Sequence, residues 1–300
     1  MVQGILCVAG ASLLFGLIPS ANKFVMLAGV PPECVTFLSH GTVFLMAALL
    51  AKCTGNSLRI PRRQILCLLL LGAVGMGGTS FLINSASARI PVGVTTVLHF
   101  LYPTIVSLVM VTVFHQKMSW YKAAAMVCSI VGMLLITDLR GDSGLSVVGI
   151  LLALCSSLTY SFYMISNEKG SINAFPLVVK LTYASLGSTF AFGTIAVCTG
   201  RVGLPATAAS AAALVGISGF GSLSAFYLIT AGIRRIGASV ASFVNMLEPI
   251  VSVVVSAVVY RETPTLAMAL GMCLVLSAVW LIAMDGRRSV LMADQSFNIN

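Results

Sequence analysis

Charge is what this chain most lacks. Of its 300 residues only 8% are Asp, Glu, Lys or Arg, whereas 58% are hydrophobic, and the mean hydropathy is +1.04. So few charges cannot cover a water-facing surface, so most of the exterior must meet an apolar solvent, and the lipid bilayer is the one available. A water-soluble fold is excluded. The +9 net charge does not point to nucleic acid, because the basic residues stand singly between apolar runs and form no basic stripe. Eight cysteines are present but no CxxC pair, and most lie inside apolar runs, where cysteine behaves as a small hydrophobe. Neither a disulfide framework nor a zinc site is expected. The phosphate-cradling GxxxxGK[ST] is missing, so no ATP hydrolysis by this chain and no cofactor are expected. Residues Met1 to Leu27 lack the basic region and small-residue cleavage site of a signal peptide and read as a retained helix.

What is present is a succession of apolar runs, each near the roughly 20 residues needed to cross the hydrocarbon core. They predict ten helices over 2–27, 32–52, 64–86, 92–114, 119–137, 146–168, 175–198, 209–232, 238–260 and 264–284. The linkers carry turn residues, such as Pro31-Pro32, Thr54-Gly55-Asn56-Ser57 and Gly141-Asp142-Ser143-Gly144. The polar tail 287–300 is expected to fray. Eleven Lys and Arg fall on the face shared by both termini and five on the opposite face, with Lys180 inside a span. The positive-inside rule then places both termini in the cytoplasm.

Sliding the chain against itself by about 145 residues reveals a duplication. Gly4-Ile5-Leu6 meets Gly149-Ile150-Leu151, Asn22 meets Asn167, and Cys53-Thr54-Gly55 meets Cys198-Thr199-Gly200; Arg89-Ile90 and Pro103 meet Arg235-Ile236 and Pro249. Loop residues align at the same offset, which chance similarity between apolar helices does not produce. The fold expected is all-α membrane, with 1–144 and 145–286 as five-helix repeats. Because five is odd, the second repeat enters the membrane upside down, the arrangement of secondary transporters that bind solute near the midplane.

Polar residues inside the spans mark where such a site would lie. Pro103 and Pro249 are repeat-equivalent and each frees the carbonyl four residues earlier, that of His99 and of Asn245. Ser242, Asn245, Glu248, Ser252 and Ser256 share one helical face, and Glu248 is the one acid deep within a span. An unpaired charge there costs at least about 2.5 kcal/mol. Glu248 thus reads as a proton-binding carboxyl that couples transport to protons, an anchor for a solute's ammonium group, or a hydrogen-bonding lock between helices. His99 and Tyr102 in the fourth span, and Tyr160 and Tyr163 in the sixth, suit a pocket for a small amphipathic molecule, with packing as the plainer alternative. Pro19, Pro103 and Pro249 are candidate hinges. Gly72, Gly75 and Gly77 in the third span, and Gly216, Gly219 and Gly221 in the eighth, read as surfaces for close helix packing.

Leu247-Glu248-Pro249-Ile250, followed by Tyr260-Arg261-Glu262-Thr263, resembles the glutamate-proline helix and acidic turn of the EamA-like, ten-helix branch of the drug/metabolite transporter superfamily. The first-half copy, Leu101-Tyr102-Pro103-Thr104, keeps the proline and lacks the acid. The resemblance covers Gly4 to about Met284. It implies a basket of helices around a central cavity in a bacterial cytoplasmic membrane, usually for export of amino acids, related metabolites or toxic small molecules. The expected function is secondary transport of a small amphipathic solute by alternating access. The expected lining comes from the first, third, fourth, sixth, eighth and ninth spans, and the expected partners are the solute and membrane lipid. The competing readings are a passive facilitator or channel, and a membrane-embedded lipid-modifying enzyme. The latter finds no HExxH, paired aspartates or Ser-His pair in the sequence. Oligomeric state is not legible.

Overall fold

A computed structural model gives the fold and describes residues 1–90, 92–136, 146–251, 254 and 265–297. All regular structure among them is helical. A backbone in lipid has no water to bond, and a helix satisfies its own amides and carbonyls. The helices are α1 (Val2–Leu27), α2 (Pro32–Cys53), α3 (Arg62–Leu70), α4 (Thr79–Ser87), α5 (Val92–His99), α6 (Tyr102–Thr112), α7 (Trp120–Ile136), α8 (Val147–Lys169), α9 (Leu177–Cys198), α10 (Ala208–Ala212), α11 (Ser222–Val244) and α12 (Leu266–Phe297). Six helical stretches are long and apolar enough to cross a membrane, and three shorter apolar helices accompany them. Large apolar side chains such as Trp120, Phe190 and Leu266 are exposed on the outside, as lipid contact requires.

The stretch Ala208–Val251 has 44 residues, about 66 Å at the α-helical rise and twice a bilayer core. It does not run straight. Gly237 breaks it with φ 79 and ψ 161, a conformation that favours glycine, and the following helix starts at Ala238. The α8 residue Glu168 accepts the Ala238 N–H at that break and also a hydrogen bond from Gln116 Nε2 at 3.2 Å. At the chain's far end α12 continues to Phe297, past the expected stop at 284 and through the segment expected to fray. Val290 to Gln295 contains Leu, Met, Ala and Gln, good helix formers, and no proline or glycine to end the helix. The linker 141–144, Arg140, Ser252, Ser256 and the Tyr260-Arg261-Glu262-Thr263 turn lie outside the described residues.

The duplicated sequence produces duplicated geometry. Cys-Thr-Gly ends α2 and α9 alike: Gly55 and Gly200 take φ 68 and 65, and the Asn56 and Arg201 amides reach back to the Ala51 and Ala196 carbonyls at 2.9 and 3.1 Å. This is the six-to-one closure of a Schellman cap. The two copies also interlock reciprocally. An added Cβ at Gly4 would meet Ile236 Cγ2 at 2.5 Å, and one at Gly149 would meet Ile90 Cγ2 at 2.6 Å, the repeat-equivalent pair. Beside each, Arg235 and Arg89 donate to the carbonyls of Ala231 and Ser85 at 2.8 and 2.7 Å. Helix α2 packs on α9, the repeat-equivalent helix, and α7 on α12 likewise; α1 packs on α11 while α8 packs on α4, α5 and α6.

Both glycine sets fall in widened π-helical segments, Leu71–Gly78 and Ala213–Gly221. A Cβ on Gly72 would overlap the Ala184 carbonyl, one on Gly77 would overlap Ser188 Oγ, and one on Gly75 would come to 3.0 Å from Tyr163 Cβ. Gly219 lies against Thr42, with a Cβ meeting its Cγ2 at 2.6 Å. The packing role expected for Gly216 and Gly221 needs correction. Gly216 is exposed with nothing within 4 Å, and a Cβ on Gly221 would only graze Ile18 at 4.0 Å, so neither contact requires glycine. Gly72→Ala is therefore expected to destabilise the protein by about 1–3 kcal/mol through overpacking, and Gly216→Ala to stay within about 0.5 kcal/mol of wild type. Thermal unfolding of the two purified variants in one detergent checks this; equal melting points would contradict it.

Candidate functional site

Pro103 and Pro249 each follow a break in their span. Helix α5 ends at His99 and α6 starts at Tyr102, leaving Phe100 and Leu101 between them; on the other side α11 gives way to a tighter turn over Asn245–Leu247. Proline removes an amide donor and repels the carbonyl four residues back, which is where both helices loosen. The two breaks meet. Asn245 Nδ2 donates to Tyr102 Oη at 3.0 Å and lies 3.2 Å from Glu248 Oε2, and Tyr102 Oη donates to the Ser242 carbonyl at 3.2 Å. From α1, Ser12 Oγ donates to Asn245 Oδ1 at 3.0 Å. Asn245 thereby uses its carbonyl and amide group to tie α1, α6 and the ninth span together around the carboxyl of Glu248.

The first-half break carries its own, parallel bond. His99 Nδ1 and Ser156 Oγ on α8 are 3.0 Å apart, close to the Ser12–Asn245 pair in repeat position. Ser161 Oγ on α8 bonds the Tyr102 carbonyl at 3.3 Å, where its counterpart Gly16 on α1 lies against the Glu248 carbonyl. Around these bonds stands an aromatic cluster. Tyr160 meets Tyr102 edge-on with centroids 4.7 Å apart, lies 5.4 Å from His99 and stacks on Tyr163 at 5.9 Å. Tyr163 Oη is 2.9 Å from Thr230 Oγ1, which joins α8 to α11.

A cavity opens beside this cluster, giving the centres of water-sized molecules about 70 Å³. Its lining includes His99, Tyr160 and Glu248 of the six residues expected from sequence, and the candidate hinge Pro19. Tyr102, Asn245 and Tyr163 do not line it. The first two stand behind Glu248 and fix it, because their polar atoms are already committed to each other and to the backbone; Tyr163 is committed to Thr230. Pro103 and Pro249 shape the breaks without facing the cavity. The spans that contribute are the first, third, fourth, sixth, eighth and ninth.

Sequence reasoning missed one wall. Phe15, Ile18, Pro19 and Asn22 on α1, and Met76, Thr79, Ser80, Ile83 and Asn84 on the third span, line the cavity together with Ser222 and Phe226. The signal was available: both sets are spaced three and four apart, one helical face each, with asparagine in an otherwise apolar run. Among the described residues of the lining, Glu248 is the one carboxylic acid, and no Lys or Arg accompanies it. Two other buried groups stand elsewhere. His40 Nδ1 is 2.9 Å from the Thr36 carbonyl while its Nε2 has no hydrogen-bond partner, and Lys180 is 2% exposed with Nζ unbonded in the protein.

Comparison with known proteins agrees with this architecture. The model of the EamA-like transporter family matches twice, at residues 2–138 and 147–284. An uncharacterized transporter of Bacillus subtilis (strain 168), YdfC, is 23% identical over 267 residues, covering 87% of this chain and 85% of that protein. A crystal structure superposes with a TM-score of 0.78 at 18% identity, covering 93% of this chain and 98% of the other, which speaks to the fold alone. The protein is a multi-pass membrane transporter, and the chain belongs to the EamA-like family of the drug/metabolite transporter superfamily.

Proposed function

We propose that this chain is a ten-span secondary transporter of the bacterial cytoplasmic membrane, both termini cytoplasmic, which moves a small amine-bearing solute outward by alternating access of two inverted halves. The observation that carries this reading is the carboxyl of Glu248 on the cavity wall, held by Asn245 at the proline break and, among the described lining residues, the one carboxyl and unaccompanied by Lys or Arg. A lone acid in a largely apolar cavity attracts an ammonium group, which neutralises it, more strongly than an anion. The aromatic faces of Phe15, Tyr160 and Phe226 supply the apolar contact for the rest of the solute.

The reciprocal contacts Gly4–Ile236 and Gly149–Ile90 support the inversion, since each repeat's opening helix seats on the other repeat's Arg-Ile pair. Two copies packed this way can rock about a shared centre, and the proline breaks are the places where their helices bend. Glu248 also gives the cycle a means of coupling. Occupied by a proton on one side and by an ammonium group on the other, it exchanges one cation for the other across the membrane. The channel reading differs in one measurable respect, because a carrier is accelerated by solute on the far side and a pore is not.

Purified protein in liposomes is expected to show saturable uptake that preloaded solute accelerates; flux proportional to concentration, without acceleration, would establish a passive pore instead. Glu248→Gln is expected to abolish the dependence of transport on a pH gradient and to weaken binding of amine solutes about tenfold or more, the loss of one charge-assisted bond. A Gln variant with an unchanged pH profile and unchanged amine binding would remove Glu248 from both roles.

A further inference from the structure

Among the described residues, eight buried side-chain nitrogen or oxygen atoms have no hydrogen-bond partner in the protein, and three belong to the cavity wall: Asn22 Oδ1, Asn84 Nδ2 and Tyr160 Oη. Asn22 and Asn84 are each more than nine-tenths buried. They make one bond to each other, Asn22 Nδ2 donating to Asn84 Oδ1 at 3.3 Å, and each keeps its other polar atom unused. An unpaired buried polar group costs about 1–3 kcal/mol. Both side chains face the cavity, and the soft terminal torsion of asparagine lets either amide plane turn towards it.

The second copy shows what Asn84 lacks. The repeat-equivalents of Asn22 and Asn84 are Asn167 and Thr230, and both bond to one residue: Asn167 Nδ2 donates to the Tyr163 carbonyl at 2.9 Å, and Thr230 Oγ1 lies 2.9 Å from Tyr163 Oη. The position equivalent to Tyr163 is Ile18, which lines the cavity and has no side-chain polar atom. The hydroxyl that answers Thr230 therefore has no counterpart at Ile18 for Asn84.

We propose that the Asn22–Asn84 pair is a second polar subsite, reading a neutral planar donor–acceptor group, a primary carboxamide, at the end of the solute opposite its ammonium group. This rests on the transport reading above and narrows its substrate class. Whichever way the two amides are turned, a head-to-tail pair leaves one carbonyl oxygen free on one asparagine and the whole amide NH2 free on the other. A carboxylate brings acceptors only and an ammonium donors only, so each leaves one asparagine atom opposed, whereas a carboxamide answers both. The described lining residues include no Lys or Arg to receive a carboxylate, so a zwitterionic amino acid fits this end poorly. Gly16 marks the level of the Glu248 backbone, and Asn22 lies six residues further along α1, about 9 Å of helix rise. The solute is therefore an amine carrying its carboxamide several bonds away.

The test uses the full chain in nanodiscs and calorimetric binding of three probes of one length: ε-aminocaproamide, ε-aminocaproate and hexylamine. The amide is expected to bind about tenfold more tightly than either of the others, one neutral donor–acceptor contact's worth. In Asn22→Leu and Asn84→Leu the ratio of amide to hexylamine affinity is expected to fall to about one. Acid binding as tight as amide, or a wild-type ratio that survives in both variants, overturns the proposal. Failure of all three probes to bind, in protein that still shows counterflow with some other solute, also overturns it and leaves transport standing; absence of counterflow with every solute would instead strike the transport reading.

Discussion

Everything in this fold answers to one constraint: inside a bilayer no water is available to receive the groups that a bent helix sets free. Pro103 and Pro249 break the fourth and ninth spans at repeat-equivalent positions, and side chains beside the breaks bond the Ser242 and Tyr102 carbonyls. Asn245 carries most of this burden, joined to Ser12, Tyr102 and Glu248, and a carboxyl becomes tolerable in the core because an amide donor is fixed beside it. The cavity lies where these obligations leave room. Structure and site therefore have one cause, since the residues that stabilise the broken helices also aim Glu248.

Duplication supplied the frame and divergence supplied the chemistry. The caps after Cys53 and Cys198, the seats at Gly4 and Gly149, and the π-helical glycine segments are near copies. At the centre the copies part. Tyr102 stands where the other half has Glu248, His99 where it has Asn245, and Ile18 where it has Tyr163. A symmetric pair of halves with symmetric chemistry would hold two equal sites. Here one acid, one closed aromatic contact and one open amide pair make the cavity asymmetric.

Most of the fold was legible because its signals are long-range and repeated. Apolar runs of bilayer length, turn residues between them and a constant offset near 145 need no knowledge of contacts, and α1, α2, α8 and α9 begin and end within two residues of the expected limits. The miss at α12 arose from reading polarity as disorder, although its tail holds good helix formers. The site was half legible. Proline position revealed the breaks and Glu248, but which side chains face the cavity depends on how helices rotate against one another. Tyr102 and Asn245 carry polar groups at the right depth and are consumed by each other, while Asn22 and Asn84, seen only as repeat markers or not at all, form the opposite wall. Gly216 shows the converse: a glycine in the right pattern with no neighbour to accommodate.

The mirror relation between the halves is the claim on which the account stands, and two native cysteines report it. Cys53 and Cys198 end equivalent helices in equivalent caps and are both exposed. In variants keeping one or the other as the sole cysteine, a membrane-impermeant maleimide added to intact cells should label Cys198 and reach Cys53 only after the membrane is opened. Labelling of both from the same side would contradict the inversion and, with it, the shared central cavity as a transport site.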